Sequence, residues 1–290
     1  MELRQLRYFV KARELENFTE AAAQLFISQS TLSQQIKQLE DELGTPLFDR
    51  VGKYIHVTEA GKLFYDYALQ CLQKANDGYQ LLKDLSELQT GHLVIGATYG
   101  LRHMLTPALV AFYRQYPQVK VEVIFDTSTE LLTRLERFEA DFLLTYEEVQ
   151  MRKGMKYQPL FESELAFIVR KDSPLATKKS VTLKEIQAFE LALPSKGFVT
   201  RRFVDEVFEQ HGIVPHINLE ISDIPTLLEL VGTGHWHSIL THTTVADQHD
   251  LVALPIRSVT ALQQAAIISL ADVYEKKAAR AFFEILLNRG

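Results

Sequence analysis

The sequence has little cysteine, no long apolar run and no apolar leader, and each absence excludes a class of protein. The single cysteine, Cys71, excludes an intramolecular disulfide and a cysteine-rich metal site. No run of roughly 18 apolar residues occurs, so we expect no transmembrane helix. Glu2, Arg4 and Arg7 stand where a signal peptide requires an apolar stretch. These features predict a cytoplasmic protein, and 290 residues are enough for at least two domains.

An excess of positive charge is also missing. The formal net charge is −6, and the first 60 residues hold nine Asp or Glu against seven Lys or Arg. Proteins that coat nucleic acid without regard to sequence are normally basic. If this chain binds DNA, it must therefore place a few cations accurately, and we expect a dimer or a larger assembly.

Patterns that would indicate catalysis or a cofactor are absent as well. No Gly-x-Ser-x-Gly motif occurs, and the segment that begins at Gly232 has His237 at the third glycine position of a dinucleotide fingerprint. The pair His235 and His237 has no acidic residue nearby before Asp247, so we predict no metal site. Cys71 falls in a predicted helix and is expected to be a buried apolar residue. We therefore predict no catalytic residues and no cofactor.

Residues 1–57 have the pattern of a winged helix-turn-helix domain. An amphipathic helix is followed by a short helix that opens with Thr19 as its predicted cap. A tight turn leads into a third helix, which ends at Gly44 because glycine commonly terminates helices. The residues then alternate around Gly52, which predicts a small two-stranded wing. In this design the helix after the turn enters the DNA major groove.

The third helix turns amides and hydroxyls outward, with almost no charge. Its apolar residues recur at helical spacing, and we assign them to the core: Leu32, Ile36, Leu39 and Leu43. Its outward side chains can donate and accept hydrogen bonds at base edges: Gln29, Ser30, Ser33 and Gln34, together with Lys37. A glutamine-rich surface helix without a DNA contact is the alternative.

Residues 58–90 predict one long helix, because no proline interrupts them. Apolar residues repeat there at the alternating spacing of a coiled-coil seam: Phe64, Ala68, Cys71, Ala75, Gly78, Leu82 and Leu85, widened by Tyr65, Leu72 and Tyr79. Little neighbouring sequence is available to cover so long a stripe, so we predict that it pairs with the same helix of a second chain. A helix bundle within one chain is the alternative.

From residue 91 to residue 290, strand and helix patterns alternate, which predicts an α/β domain with a largely parallel sheet. The predicted strands are HLVIGAT, VKVEVIFD, DFLLTY, ELAFIVRK, ELALPS, INLEIS, HSILT and QQAAIISL. Helices are predicted after the first two strands and near 182–189, 200–211, 224–231 and 273–288. Two similar halves, one of about 91–162 with 266–290 and one of about 163–265, would form a crevice at the carboxyl ends of the strands.

Residues 19–61 closely resemble the amino-terminal signature of LysR-type transcriptional regulators. The matching motifs are Ala-Ala in the second helix, Ser-Gln-Ser, Ser-Gln-Gln-Ile, Leu-Glu-x-x-Leu-Gly, Pro-Leu-Phe-x-Arg and Thr-Glu-Ala-Gly. The resemblance extends more loosely along the whole chain. It implies an all-α winged helix-turn-helix domain, a long linker helix, and an α/β effector domain with two Rossmann-like subdomains resembling periplasmic binding proteins. It also implies a sequence-specific DNA-binding regulator that is controlled by a small molecule.

The resemblance assigns DNA contacts and partners. It implies contacts to base edges and phosphates from Gln29, Ser30, Thr31, Ser33 and Gln34, and a phosphate contact from Lys37. Arg50 and Lys53 on the wing would approach phosphates or the minor groove; for Arg50, a salt bridge that holds the wing is the alternative. The expected partners are a pseudo-palindromic DNA operator and a second copy of the chain, in a homodimer or homotetramer.

The resemblance also places effector-binding residues at the crevice: Thr98, Tyr99, Ser128, Thr129, Phe198, Val199 and Thr200, bordered by His235 and Trp236. Helix starts present free N–H groups and a positive dipole end, so we predict a small anionic effector, most simply a carboxylate. The hydroxyls could instead only cap their helices. Trp236 stands where the family commonly has a second glycine, and Thr241 replaces a frequent proline. An indole packed between helix and sheet, outside the pocket, is the alternative for Trp236.

A function from another class stays open on the sequence alone. The α/β domain could serve a small-molecule receptor or an enzyme, with residues 1–88 used only for oligomerisation.

Overall fold

The computed structural model describes residues 1–51, 54–85, 91–146, 152–257 and 262–288, without the side chains of Arg50, Val51, Tyr54 and Leu85. The chain forms two compact units, Met1–Ser86 and Glu87–Gly290. Within the described ranges, no helix is both long enough and apolar enough to cross a membrane.

The first unit opens with three helices, α1 (Leu3–Leu15), α2 (Phe18–Gln24) and α3 (Gln29–Leu43). The prediction that Thr19 caps α2 is wrong. Asn17 is the cap, because its side-chain oxygen accepts hydrogen bonds from the backbone N–H groups of Thr19 and Glu20 at 3.0 and 3.1 Å. Helix α3 begins after Ser28 and ends at Gly44, which has a φ of 67°, as the sequence predicts.

The core of the first unit is built from the inner faces of these helices. Leu32, Ile36 and Leu39 are fully buried, as predicted, and pack in one cluster with Phe9 and Phe48. The assignment of Leu43 to the core is wrong, since its side chain is 37% exposed. Leu43 lies in the last turn of α3, beyond the residues that this cluster covers.

The wing and the long helix follow. Strands β1 (Phe48–Val51) and β2 (Tyr54–Val57) pair antiparallel, which confirms the predicted hairpin; Gly52 and Lys53 at its tip lie outside the described residues. Helix α4 (Glu59–Leu85) begins where it was predicted. The Thr58 hydroxyl accepts a hydrogen bond from the Gly61 N–H at 3.0 Å and donates one to the Pro46 carbonyl at 2.8 Å.

The predicted seam on α4 divides into two parts. Tyr65 and Ala68 are 5% and 1% exposed and belong to the core of the first unit, so the prediction that Ala68 faces a second chain is wrong. Farther along, Tyr79 and Leu82 are 56% and 66% exposed. The predicted burial of Cys71 is also wrong within this chain, because the helices that cover α4 do not cover this face of it.

The second unit alternates strands and helices, which confirms an α/β domain. Its strands are β3 (Gly91–Ala97), β4 (Val119–Phe125), β5 (Phe142–Tyr146), β6 (Met155–Arg170), β7 (Glu190–Pro194), β8 (His216–Ile221), β9 (Ser238–Thr241), β10 (Leu251–Pro255) and β11 (Leu262–Leu270). Its α-helices are α5 (Arg102–Gln115), α6 (Ser128–Glu136), α7 (Leu183–Ile186), α8 (Val199–Gln210), α9 (Ile224–Gly232) and α10 (Lys277–Leu287). Strand β10 was not predicted, and α10 begins four residues later than predicted.

The prediction of a largely parallel sheet is wrong. Strand β3 pairs parallel with β4 and β5, and β7 pairs parallel with β8. Strand β11 instead runs antiparallel to β5 and β6, and β9 and β10 run antiparallel to β6. An apolar run shows that a strand is buried but does not reveal the direction of its neighbour.

Four groups of buried hydrophobic residues lie in the described part of the second unit, and two of them are larger than the others. One surrounds β3, β5, α5 and α10 and includes Leu93, Phe142 and Phe282. The other surrounds β6, β7 and β9 and includes Phe167 and Leu191. Strands β3 and β5 end near one cavity, and β7 and β9 end near the same cavity. The domain and subdomain boundaries that we predicted from the sequence stay predictions.

Candidate functional site

The outer face of α3 is open to solvent. Gln29, Ser30, Thr31, Gln34 and Lys37 are exposed, and Ser33 is partly exposed. The Ser28 hydroxyl lies 2.9 Å from that of Ser30 and 2.7 Å from that of Thr31, so these three side chains already bond to one another at the helix start. In the described part of the chain, Gln29 and Gln34 form no side-chain hydrogen bond, which leaves both amides available to a ligand.

Of the three cations predicted to contact DNA, the structure describes the side chain of Lys37 only. Lys37 Nζ lies 3.4 Å from Asp41 Oδ1 in an exposed ion pair one helical turn apart. Exposed pairs of this kind contribute little stability, so Lys37 can exchange Asp41 for a phosphate. Arg50 lies in β1, but its side chain is not described, and Lys53 lies outside the described residues.

Two residues near this face were not singled out from the sequence. Glu40 Oε1 accepts hydrogen bonds from the backbone N–H groups of Leu47 and Phe48 at 2.8 and 3.0 Å and thereby joins α3 to the start of the wing. Phe26, in the turn before α3, has a φ of 56° and is 94% exposed. No signal in the local sequence pattern indicated this exposure.

In the second unit, a cavity lies where β5, β7 and β9 end and where α6 and α8 begin; we call it the threonine cavity. Its enclosed volume is about 20 Å³, and about 350 Å³ when the space that opens to solvent is counted. Its lining residues are Thr98, Tyr99, Gly100, Ser128, Tyr146, Pro194, Phe198, Val199, Thr200, Ile224, Leu240 and Thr244. Thr98, Tyr99, Ser128, Phe198, Val199 and Thr200 of the predicted effector residues therefore share one cavity.

Hydrogen bonding around the threonine cavity is incomplete. The Thr98 side chain is 4% exposed, and its hydroxyl has no partner among the described residues. The Thr200 hydroxyl donates to Gln263 Oε1 at 3.1 Å, and the Ser128 hydroxyl lies 3.0 Å from that of Thr145. Neither Ser128 nor Thr200 caps its own helix, so the alternative that hydroxyls serve only as helix caps is wrong for these two residues. Thr127 caps α6, and no described side chain caps α8.

The prediction that His235 and Trp236 border the cavity is wrong. Both residues precede β9, whereas the cavity lies at the opposite end of that strand, at Leu240. Four strand residues at about 3.3 Å each separate the two ends by roughly 13 Å. Trp236 packs against the cluster that contains Leu228 and Val231, and His235 is exposed. Thr129 does not line the cavity either; its hydroxyl donates to the Gly197 carbonyl at 3.2 Å.

A cluster of hydroxyls beside the cavity was missed. The Tyr146 hydroxyl donates to Thr241 Oγ1 at 3.0 Å and lies 2.6 Å from Thr243 Oγ1. Burial raises the pKa of the Tyr146 phenol, so the side chain stays neutral. Thr241, at the position of the frequent family proline, also lies 2.8 Å from Thr244 Oγ1. Tyr146 ends a predicted strand, and the rule that places crevices at strand ends could have found it.

The histidine pair has the geometry of packing. The His237 ring stacks on Phe167 with centroids 5.2 Å apart and an angle of 4°. Across the described ranges, no group of three or more His, Cys, Asp or Glu side chains is arranged to hold a metal ion.

Comparisons with known proteins agree with this architecture. Residues 3–62 match the family described as "Bacterial regulatory helix-turn-helix protein, lysR family", and residues 86–290 match the "LysR substrate binding domain". The HTH-type transcriptional regulator YybE of Bacillus subtilis (strain 168) is 31% identical over 257 residues, which cover 88% of each chain.

Two solved structures share the fold over nearly the whole chain. Full-length OxyR from Pseudomonas aeruginosa, a single-residue variant, is 25% identical with a TM-score of 0.76, covering 99% of this chain and 94% of that one. Full-length CbnR complexed with its target DNA is 23% identical with a TM-score of 0.68, covering all of both chains. The two family matches together span most of the sequence, and the protein belongs to the LysR family of DNA-binding transcriptional regulators, which are not enzymes, and carries the family's effector-binding domain.

Proposed function

We propose that this regulator binds a pseudo-palindromic operator as a homo-oligomer and responds to a small molecule whose single anionic group lies in the threonine cavity. The observation that supports this most directly is that two helices begin around the buried Thr98 hydroxyl, which has no partner among the described residues. Helices α6 and α8 both begin at the cavity, and Thr98, which follows β3, lines the same cavity.

The start of α8 supports an anion in particular. Since no described side chain caps this helix, its first N–H groups are available to a ligand, and the helix dipole favours negative charge there. Among the described residues that line the cavity, none is basic. Arg201 is close by, but it donates to the Pro194 carbonyl and is paired with Asp205 and Glu220. Helix dipoles alone compensate one negative charge better than two, so we expect a single anionic group in this cavity.

The exposed part of α4 supports a homo-oligomer. Leu63 and Tyr67 are 68% and 67% exposed, and they line an apolar groove of about 660 Å³ together with Leu43, Thr45, Leu47, Ala60 and Phe64. Tyr79 and Leu82, farther along the same helix, are exposed as well. A second copy of α4 is a suitable occupant of this groove, because pairing would cover the exposed apolar residues of both chains. It would also position two α3 helices for two half-sites.

Fluorescence anisotropy with DNA from beside the regulator's own gene tests the DNA contacts. Gln29→Ala should weaken operator binding by about 1–3 kcal/mol and random-sequence binding much less, because an amide at a base edge reads sequence. Lys37→Ala should weaken both equally and flatten the salt dependence. Gln38→Ala, in the second half of α3, serves as the control. Equal losses on both DNAs for Gln29→Ala would contradict the base-edge assignment.

A thermal-shift series on the full chain tests the anion. Monocarboxylates should raise the melting temperature more than dicarboxylates or amines of similar size, since ligands that bind only the folded state stabilise it. Thr200→Val should weaken the best monocarboxylate about tenfold. Thr133→Val, which removes an exposed hydroxyl on α6, should leave its affinity unchanged. A best ligand without negative charge would overturn the proposal.

A further inference from the structure

A second cavity adjoins the threonine cavity, and the two share Tyr99, Phe198 and Ile224. We call it the aromatic cavity, and its volume is about 520 Å³, counted with the space that opens to solvent. Its other lining residues are Phe125, Asp126, Ser222, Asp223 and Pro225. Because three residues belong to both cavities, the two cavities lie side by side.

The charge of the aromatic cavity has the same sign as the anionic group proposed above. Asp126 and Asp223 line it, no described lining residue is basic, and neither carboxylate forms an ion pair within the described part of the chain. Asp126 Oδ1 accepts the Thr127 N–H at 2.8 Å, and Asp223 Oδ2 accepts the Thr226 N–H and hydroxyl at 2.9 and 2.6 Å. These bonds use one oxygen of each carboxylate and leave Asp126 Oδ2 and Asp223 Oδ1 for a ligand.

The Asp223 carboxylate carries charge at neutral pH. The hydrogen bonds from Thr226 hold the pKa of Asp223 below its ordinary value. Two carboxylates beside the anion site disfavour a simple anion and favour a ligand that also carries a positive group.

The aromatic rings provide a second, independent preference for a cation. Tyr99, Phe125 and Phe198 line the cavity, and the rings of Tyr99 and Phe125 are 6.4 Å apart between centroids at an angle of 55°. Phe125 is 48% exposed at the end of β4. Ring faces attract ammonium groups, and several rings with carboxylates form the kind of site that binds quaternary ammonium ligands.

A cation already lies over one of these rings. The Arg102 guanidinium carbon is 5.1 Å from the Tyr99 centroid. Arg102 does not line the cavity, and its charge is paired with Asp247, whose Oδ2 lies 3.7 Å from Arg102 Nη2. It therefore does not neutralise Asp126 or Asp223 by direct contact.

We propose that the aromatic cavity binds an organic ammonium group, and that the effector is zwitterionic, of the amino-acid or betaine class. Its carboxylate lies in the threonine cavity and its ammonium group lies among Tyr99, Phe125, Phe198, Asp126 and Asp223. The carboxylate half of this assignment rests on the function proposed above, whereas the ammonium half rests on the aromatic cavity alone.

Titration calorimetry of the full-length chain tests the two halves separately. The probes are acetate, tetramethylammonium chloride, and two betaines whose charges are separated by one and by three methylene groups, all at constant ionic strength set with sodium chloride. We expect at least one betaine to bind more than tenfold tighter than either single-charge probe, because both subsites then act on one molecule.

Matched variants assign the ammonium site. Asp126→Asn and Asp223→Asn should each weaken tetramethylammonium and betaine binding about tenfold, by analogy with a charge-assisted contact. Asparagine retains the hydrogen-bond acceptor and the helix cap, so the fold should be kept. Glu229→Gln, on the same helix as Asp223 but outside the cavity, removes the same charge and should have no effect.

The outcomes separate the two proposals. Tetramethylammonium binding that is absent, or equal in the wild type and the Asn variants, overturns the ammonium site. Loss of tetramethylammonium binding in the Asn variants, together with no binding of acetate and no gain for either betaine, supports the ammonium site and overturns the anion proposal.

Discussion

His237 illustrates how contacts decide the role of a single residue. Its ring stacks on Phe167 and lies 4.9 Å from the ring of Phe189. Its Nδ1 is buried and has no partner within the described residues. Burial lowers the pKa of His237 below its ordinary value of 6.5. The side chain therefore acts as a neutral aromatic residue in a hydrophobic core.

This burial predicts a pH effect on stability. A group whose folded pKa is depressed binds protons more tightly in the unfolded chain, so the free energy of unfolding should fall as the pH drops below 6.5. His237→Phe keeps an aromatic ring and removes the titrating group, so its stability should fall less between pH 7.5 and pH 5.5. Urea unfolding at several pH values measures both slopes.

Burial also lowers the pKa of His103, so the stability of the wild type and that of His237→Phe should both keep some pH dependence. His103→Phe provides the complementary measurement. Identical slopes in the wild type and in His237→Phe would show that His237 is protonated equally in both states.

Among the secondary-structure elements, α4 contributes both to the core of the first unit and to an exposed apolar surface. Its first turns complete the core of the first unit. Gly61 allows this approach, because a Cβ there would lie 2.3 Å from the Leu47 carbonyl oxygen. Other apolar residues of the helix, among them Leu63, Tyr67 and Leu82, are exposed in this chain, and we propose that a second copy covers them.

Gly61→Ala should destabilise the first unit by about 1–3 kcal/mol, because the added methyl group meets the backbone rather than a flexible side chain. Gly78→Ala on the same helix is a matched control, since an added Cβ there has no described neighbour within 4 Å. It should stabilise the helix by roughly 0.5–1 kcal/mol. Denaturant unfolding of the two variants gives the comparison, and equal effects would contradict the close approach at Gly61.

Ala75→Glu should lower the oligomer mass and abolish operator binding, because a two-fold interface would place each new carboxylate near its copy. Ala75 is exposed in this chain, so the fold itself should tolerate the change. Asn76→Glu, one residue farther around the helix, should keep the wild-type mass. Light scattering measures both, and an unchanged mass for Ala75→Glu would remove this face of α4 from the interface.

At the scale of the second unit, residues from distant parts of the chain close over the threonine cavity. A Cβ at Gly197 would lie 3.0 Å from Thr127 Cγ2, and the Gly197 carbonyl accepts the Thr129 hydroxyl at 3.2 Å. The loop before α8 and the start of α6 thus touch directly. This contact fixes the distance between the two helix starts that we expect to bind the effector.

Gly197→Ala should push these two helix starts apart by a few tenths of an ångström and weaken effector binding about tenfold. Gly232→Ala is the control, since an added Cβ at the end of α9 has no described neighbour within 4 Å. Calorimetry with the best monocarboxylate or betaine measures both variants. Wild-type affinity in Gly197→Ala would show that the contact can loosen without cost to the site.

Local patterns by themselves determined the elements of this protein. The spacing of Leu32, Ile36 and Leu39 predicted the buried face of α3, and Gly44 predicted its end, because both depend on neighbours within a few residues. The motifs between residues 19 and 61 were enough to indicate the family. The family resemblance also placed Thr98, Ser128 and Thr200 at the crevice, and all three line the threonine cavity.

Only the tertiary structure decided how these elements meet. Strand direction depends on which distant segment pairs with β6 and β11, and no local pattern encodes that choice. Ala68 and Cys71 have similar places in one repeat, yet only Ala68 is covered by the core of the first unit. Trp236 precedes the same short strand that ends at the threonine cavity, but it lies at the wrong end of it. The acidic residues Asp126 and Asp223 are nearly a hundred positions apart in the sequence, and folding alone makes them line one cavity.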